Sequence, residues 1–341
     1  MLSWLYSLVV AGRNKAFDLG VLRTTRVAVP VIAVGNLTVG GTRKTPLVEY
    51  LADYCLKKRR VAIISRGYKR RSKGVVVVSD GKSVKVDAMQ GGDEPVQMAR
   101  KFPAACVVVG ESRVEAAAVA IQDLDAELLL LDDGFQHRYL ARDLDIVVLD
   151  VERDILPGLL LPAGRMREPW SALRRANVVV WSKMETHDEA LGLEERLSSW
   201  YSGPIVKTRY AVRSLRRAID SMPVEADRLK DKKAIAFSGV GDHDGFVRTL
   251  KTYGFRIAGE MRFRDHHTYD SHDVESVAAL LHRTGAEICL TTEKDAVRLA
   301  ASPSIMNAIE ELYFPQIVVE IIAGEEQLLA MVDACLEKGV N

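Results

Sequence analysis

Short apolar runs rich in Val, Ile and Leu punctuate the chain, each closed by a glycine or a polar turn. Val27 to Val34 (broken only by Pro30), Val61 to Ser65, Ala105 to Val109, Glu127 to Asp132, Asp145 to Val151 and Ala176 to Ser182 read as buried strands. Leu47 to Leu56, Val96 to Arg100 and an alanine-rich stretch after Arg113 read as helices between them, and Val75 to Val78 as a short hairpin strand. Buried strands alternating with helices predict a mostly parallel sheet covered on both faces.

The pattern changes at Gly203-Pro204. Ile205 to Val212 alternates apolar and polar residues, as an exposed hairpin or a connecting ribbon does. New strands are expected at Ala234 to Ser238, Ile257 to Phe263, Ile288 to Thr292 and Ile317 to Ile322, with helices from Phe246 and from Glu325. This second half repeats α/β logic in a smaller unit. The expected division is an N-terminal segment 1–25, a nucleotide-binding domain 26–207 and a smaller α/β domain 208–341.

Met1 to Ala11 is apolar, carries Trp4 and Tyr6, and precedes Arg13, Lys15, Arg23 and Arg26. It lacks the basic start and cleavage site of a secretory signal, and it is shorter than the roughly 20 residues a bilayer span requires. Two readings stand: a helix lying in a membrane interface against anionic headgroups, or a helix docked on the domain.

Composition narrows the function classes. The 341 residues suffice for two cores, and 47 basic residues against 46 acidic give no global case for nucleic acid. Cys55, Cys106, Cys289 and Cys335 are far apart and form no C-x-x-C pair, so buried free thiols are expected and no structural zinc site.

The candidate chemistry begins after the first strand. Thr38, Val39, Gly40, Gly41, Thr42, Arg43, Lys44 and Thr45 form a glycine-rich loop running into a helix start, where backbone N–H groups and the helix dipole favour phosphate. The strict G-x-x-x-x-G-K-[ST] pattern fails twice, because Thr38 and Arg43 stand where its glycines belong. Downstream, the apolar strand ending in Asp132-Asp133 has the form that delivers a carboxylate to nucleotide-bound Mg²⁺. Lys44-Thr45 paired with Asp132-Asp133 predicts a Mg²⁺–nucleotide site. Arg66 to Arg71 form a basic loop at a strand's carboxyl end, a place for an anion. Asp93 and Glu94 follow two glycines before a helix; local reasoning alone makes Asp93 a helix cap.

Taken in order, Gly35 to Gly41, Lys44-Thr45-Pro46, Ser65 to Tyr68, Gly92 to Pro95, Asp132 to His137, Gly164 to Pro169, Phe263 to His266 and Thr292 to Asp295 closely resemble the tetraacyldisaccharide 4′-kinase family of Gram-negative bacteria. The resemblance covers essentially the whole chain. It implies a P-loop NTPase-like sheet domain joined by a β-ribbon to a smaller α/β domain, with the active site in the cleft between them. It implies ATP and Mg²⁺ as cofactors, and the 4′-hydroxyl of a tetraacylated glucosamine disaccharide 1-phosphate as acceptor. It also implies a peripheral protein on the cytoplasmic face of the inner membrane, which favours membrane contact for the N-terminal segment.

Roles then follow position by position. Lys44 would hold the β- and γ-phosphates. Thr45 and Asp132, with Asp133, would serve the metal. Asp93 matches the family's catalytic base, which reverses the cap reading, and His266 matches its histidine partner across the cleft. Glu94, Arg113, Gln136 and Arg165 fall at matching active-site positions, the two arginines suiting the transferring phosphate or the substrate's 1-phosphate. The alternatives are another P-loop NTPase or small-molecule kinase, and a nucleotide-binding homologue whose catalysis Arg43 impairs.

Overall fold

The computed structural model describes residues 2–39, 44–151, 158–184, 191–300, 306, 308–309 and 311–338. It divides into two compact units, Met1–Tyr210 together with Val319–Asn341, and Ala211–Val318.

The first unit runs α1 (Leu2–Asp18), β1 (Val31–Gly35), α2 (Lys44–Leu56), β2 (Val61–Ser65), β3 (Val76–Asp80), α3 (Ala88–Gly91), α4 (Asp93–Lys101), β4 (Cys106–Val109) and α5 (Arg113–Gln122). It continues through β5 (Leu128–Asp132), β6 (Leu144–Asp150), a 3₁₀ turn (Trp170–Arg175), β7 (Val178–Ser182), α6 (Leu191–Ser198) and the start of β8 (Ile205–Arg217). Its strands lie in the order β8-β7-β6-β1-β5-β2-β4-β3. All pair in parallel except β3, which lies antiparallel on β4. The residues of β1, β2, β4, β5, β6 and β7 are buried throughout. That is why these strands read as unbroken apolar runs rather than as alternation.

Proline trims the first of them. The strand expected from Val27 begins only at Val31, because Pro30 has no N–H to give a central ladder. Its carbonyl still accepts from the Leu129 N–H at 3.0 Å, and Val27 and Val29 pack against the core beneath.

Strand order places the site. From β1 the chain passes to β2, two positions away, and returns to fill the gap with β5. It then continues through β6 and β7 on the other flank. The order reverses at β1, and sheets of this kind take ligands outside the carboxyl ends at that point. Gly35 closes β1 there. A Cβ on Gly35 would fall 2.4 Å from the Phe135 Cβ and 2.8 Å from its backbone nitrogen, so the turn after β5 can approach β1 only over a glycine.

The second unit contains β9 (Pro223–Val224), α7 (Asp227–Lys230), β10 (Lys233–Ser238), α8 (His243–Thr252), β11 (Arg256–Arg262), α9 (Ser271–Thr284), β12 (Ile288–Leu290), α10 (Glu293–Leu299) and most of β13 (Leu312–Ala323). Strands β11, β10, β12 and β13 pair in parallel in that order. β8 runs past the expected Val212 to pair Leu215 and Arg216 antiparallel with β9. β8 and β13 are the strands by which the chain passes between the units. After β13, α11 (Glu325–Glu337) returns to the first unit. There Tyr50 and Tyr54 of α2 donate to Glu325 and Asp333 at 2.6 and 2.8 Å.

The four cysteines are buried and unbridged. Among the described residues no helix is long and apolar enough to cross a membrane. α1 is docked on the unit, as one of the two expectations for its segment has it. Val10 and Phe17 are buried against the unit, while Leu2, Trp4, Leu5, Leu8 and Val9 are exposed.

Substituting Gly35→Ala should destabilise the first unit by about 3 kcal/mol, because the clash is with backbone and cannot relax by a rotamer change. Urea unfolding of the two proteins checks this; an unchanged midpoint would remove the close approach as a constraint.

Candidate active site

Lys44 and Thr45 open α2 directly below the carboxyl end of β1. The Lys44 ammonium lies 3.3 Å from Asp133, the residue after β5, and Arg167 lies 2.8 Å from the same carboxylate. Burial pushes the Asp133 carboxyl up, but Lys44 and Arg167 outweigh it and hold the group down at about 2. Asp133 sits at φ 56°, a left-handed conformation that a non-glycine adopts under constraint. Asp132, the last residue of β5, is buried, as is Thr45. Gly40, Gly41, Thr42 and Arg43 lie outside the described residues. Thr38 and Val39, just before them, are pinned by the 158–169 segment. Thr38 bridges to Met166, and Val39 donates to the Arg165 carbonyl at 2.8 Å.

The donor set near the loop is one hydroxyl and adjacent carboxylates. No group of three or more His, Cys, Asp or Glu gathers to cage a metal among the described residues. Such a set fits Mg²⁺, which keeps waters and completes its shell with phosphate oxygens. Asp133 is engaged by Lys44 and Arg167.

Asp93 is the first residue of α4, and Gly92 is the N-cap, with no side-chain cap bond. The cap expected from local sequence is therefore a backbone turn. Gly92 needs φ 91° and leaves room for Gly67, whose Cα would sit 3.2 Å from a Cβ at position 92. Two glycine-containing loops thus touch, and Asp93 and Glu94 lie in the first turn of α4. The helix is braced to α2: buried Glu49 accepts from Lys101 at 2.5 Å and from Gln97 at 3.4 Å.

Arg113 opens α5 behind Ser112 and is almost fully buried, its Nη1 donating to the Gly110 carbonyl at 3.1 Å. Burial lowers its pKa, and Asp133 and Asp132 oppose that. Gln136 donates to the Asn36 carbonyl at 2.8 Å and to Glu168 at 3.3 Å. Glu168 is buried and also takes Asn14 at 2.8 Å and Arg175 at 2.7 Å. Arg13 of α1 donates to the Gln136 carbonyl at 2.6 Å, and Tyr6 to the Arg167 carbonyl at 3.1 Å. The inner side of α1 is therefore bonded to both loops that carry site residues. Arg165 is exposed and donates to the Val39 carbonyl at 2.9 Å.

Arg167, Glu168, Arg13 and Asn14 are site neighbours that sequence reasoning did not single out. Arg165 and Arg167 lie in a segment of bends around an isolated bridge at Met166, and the fold aims Arg165 at the Val39 carbonyl and Arg167 at Asp133.

His266 belongs to the second unit. It sits at φ 61°, its N–H donates to the Gly239 carbonyl at 3.0 Å, and Arg298 lies 3.3 Å from its Nδ1. Arg298 in turn binds Asp295 at 2.7 Å, a carboxylate with no exposure that also takes the Gly239 N–H and the Thr292 hydroxyl. The Thr292-to-Arg298 segment is thus the bed on which His266 rests.

The first unit is a phosphate-loop α/β domain with its polar groups gathered at the carboxyl edge beside β1. Over residues 1–337 the chain matches the family model described as Tetraacyldisaccharide-1-P 4′-kinase. It is 39% identical to a tetraacyldisaccharide 4′-kinase of Anaeromyxobacter sp. (strain Fw109-5), over 98% of this chain and 90% of that protein. It is 40% identical to that of Aquifex aeolicus, over 87% of this chain and 88% of that protein. A solved structure of LpxK from Aquifex aeolicus in complex with ATP superposes with TM-score 0.79 at 36% identity, covering 98% of this chain and 97% of that one. The chain belongs to the tetraacyldisaccharide-1-P 4′-kinase family.

His137, beside Gln136, is lowered to about 4 by burial and by Arg113, Arg13 and Arg142. It is neutral at pH 7. The unfolded chain takes up this proton below about 6.5 while the folded one resists it. Stability should therefore fall as pH drops from about 6.5 to about 4. Urea midpoints across that window should decline less steeply for His137→Gln; parallel slopes would contradict the assignment.

Proposed function

We propose that this protein transfers the γ-phosphoryl group of ATP to the 4′-hydroxyl of a tetraacylated glucosamine disaccharide 1-phosphate. Family membership supports the reaction class. The single observation that carries the local chemistry is the Lys44–Asp133–Arg167 cluster at the start of α2, beside buried Asp132 and Thr45. Lys44 would exchange its carboxylate partner for the β- and γ-phosphates, and the turn before α2 would supply backbone donors. Thr45 and Asp132 would hold Mg²⁺, which neutralises charge on the phosphates. Until phosphate arrives, Asp133 would hold Lys44 and Arg167 in place.

Asp93 would accept the proton of the sugar hydroxyl, held by the α4 N-terminus and by the Glu49–Lys101 brace. His266 would pair with it when substrate is bound. In a loose transition state little proton transfer is needed early, so orientation of the hydroxyl weighs heavily in the role of Asp93. Arg113, buried and drawn by the charges of Asp132 and Asp133, suits the transferring phosphoryl group. Exposed Arg165 suits a contact nearer the substrate. Glu94 and Gln136 complete the pocket wall.

Peripheral attachment to the cytoplasmic face of the inner membrane follows from the acceptor, which keeps its acyl chains in a bilayer, and from the exposed apolar side of α1. The acceptor excludes any need for nucleic acid.

Radiolabelled ATP, offered with the lipid disaccharide 1-phosphate in detergent, should yield a bisphosphorylated lipid. Asp93→Ala should lower that rate by about 10²- to 10⁴-fold with ATP binding retained. Label that reaches water or a soluble sugar but not the lipid would sink the proposal. Trp4→Glu with Leu8→Glu should reduce co-sedimentation with anionic vesicles several-fold and leave ATP binding as it was; undiminished sedimentation would remove α1 as the contact.

A further inference from the structure

Glu168, next in the chain to Arg167, is 1% exposed, and its carboxylate joins three parts of the first unit. Oε1 takes the Asn14 amide of α1 at 2.8 Å. Oε2 takes Gln136, in the turn after β5, at 3.3 Å, and Arg175, in the 3₁₀ turn, at 2.7 Å. Burying a carboxylate is costly, and an apolar side chain of similar size would serve packing as well or better. What the carboxylate adds is orientation. The torsion that turns a glutamate carboxylate is broad and soft, so a group bound at one oxygen alone can rock. Asn14 binds the other oxygen, and so fixes the plane in which Oε2 meets Gln136.

The Gln136 amide is set by that contact. It has two N–H bonds and both are spent, one on Glu168 and one on the Asn36 carbonyl at 2.8 Å. A reversed amide would turn its oxygen on two acceptors. Arg175, on the same oxygen of Glu168, lies over the Phe135 ring at 4.6 Å from its centroid, and Phe135 is the residue packed on Gly35. α1 also grips the turn directly. Arg13 donates to the Gln136 carbonyl at 2.6 Å, and Arg138 donates to the Asn14 carbonyl at 3.1 Å and to Asp18 at 2.7 Å. Both guanidiniums lie over the Phe17 ring of α1. The seat of α1 and the shape of the turn are therefore one set of bonds.

We propose that Glu168 is a positioning residue for Gln136, that Asn14 locks it, and that α1 thereby helps to build the active site apart from any membrane contact. Loss of the Asn14 bond would free first the Glu168 carboxylate and then the Gln136 amide, while Lys44 and Thr45 keep their own places in α2. Turnover, rather than ATP binding, registers such a change. This rests on the reading of Gln136 as a site residue in the function proposed above, and adds to it the residues that orient it.

Steady-state rates with the lipid acceptor in detergent, with no bilayer present, keep membrane attachment out of the measurement. Asn14→Ala leaves Glu168 paired with Arg175. It should lower kcat about ten-fold, with KM for MgATP and co-sedimentation with anionic vesicles unchanged. In a Gln136→Ala background the same substitution should cost less than about two-fold, because the group it acts through is already gone. It should add equally little in Glu168→Gln with Arg175→Met, which leaves no unpaired buried charge. Equal fold losses in every background, an unchanged kcat, or a matching rise in KM for MgATP marks a merely structural contact and overturns the inference. Full activity of Gln136→Ala would instead overturn the reading of Gln136, and the inference with it. No lipid phosphorylation by the unaltered chain would overturn the proposed function itself.

Discussion

A lysine at a helix start and a carboxylate at a strand end hold each other in place, and the rest of the first unit is arranged around them. Lys44 and Asp133 are 3.3 Å apart across the gap between α2 and the end of β5. Neither could be so enclosed alone. Asp133 is bent into a left-handed conformation to reach the lysine, and Arg167 joins from the 158–169 segment. The pair keeps a cation ready for phosphate without leaving its charge unbalanced before phosphate arrives. Gly35 and the turn through Phe135 allow the close approach, and the Glu49–Lys101 brace carries the same order to α4 and Asp93.

The parallel sheet was legible because strands buried on both faces have no alternation to obscure them, and six of them appear as plain apolar runs. Boundaries shifted where one residue's chemistry overrode hydrophobicity, as at Pro30. α9 was missed although its Asp270–Asp273 capping box and the spacing of Val274, Val277 and Leu280 were in plain view. Lys44, Asp132 and Asp133 could be read from the chain because strand–loop–helix context makes their meaning local. Arg167, Glu168 and Arg13 could not, because each acts on a partner more than thirty residues away. Asp93 shows the limit of local reading most clearly. Its neighbourhood suited a helix cap, and Gly92 took that place through a backbone angle that sequence does not display.

Each unit carries its own preassembled share of polar chemistry. His266 rests on Arg298 and the fully buried Asp295, so its ring is oriented by the second unit's own hydrogen bonds. Lys44, Asp132 and Arg113 are likewise set by the first unit. α1 serves two surroundings at once, with exposed apolar side chains outward and Tyr6, Arg13 and Asn14 bonded to site loops inward.

The discontinuity of the first unit bears on how the protein is made. α11 is translated last, yet it supplies Glu325 and Asp333 to Tyr50 and Tyr54 of the helix that begins with the loop lysine, and to Lys58 just after it. A ribosome must deliver the whole of the second unit before that helix gains its final partners. Until then α2 has a face without its cover, so the nascent chain carries the sheet long before it carries a finished nucleotide site. The first unit is thus complete only once its C-terminal helix has been made.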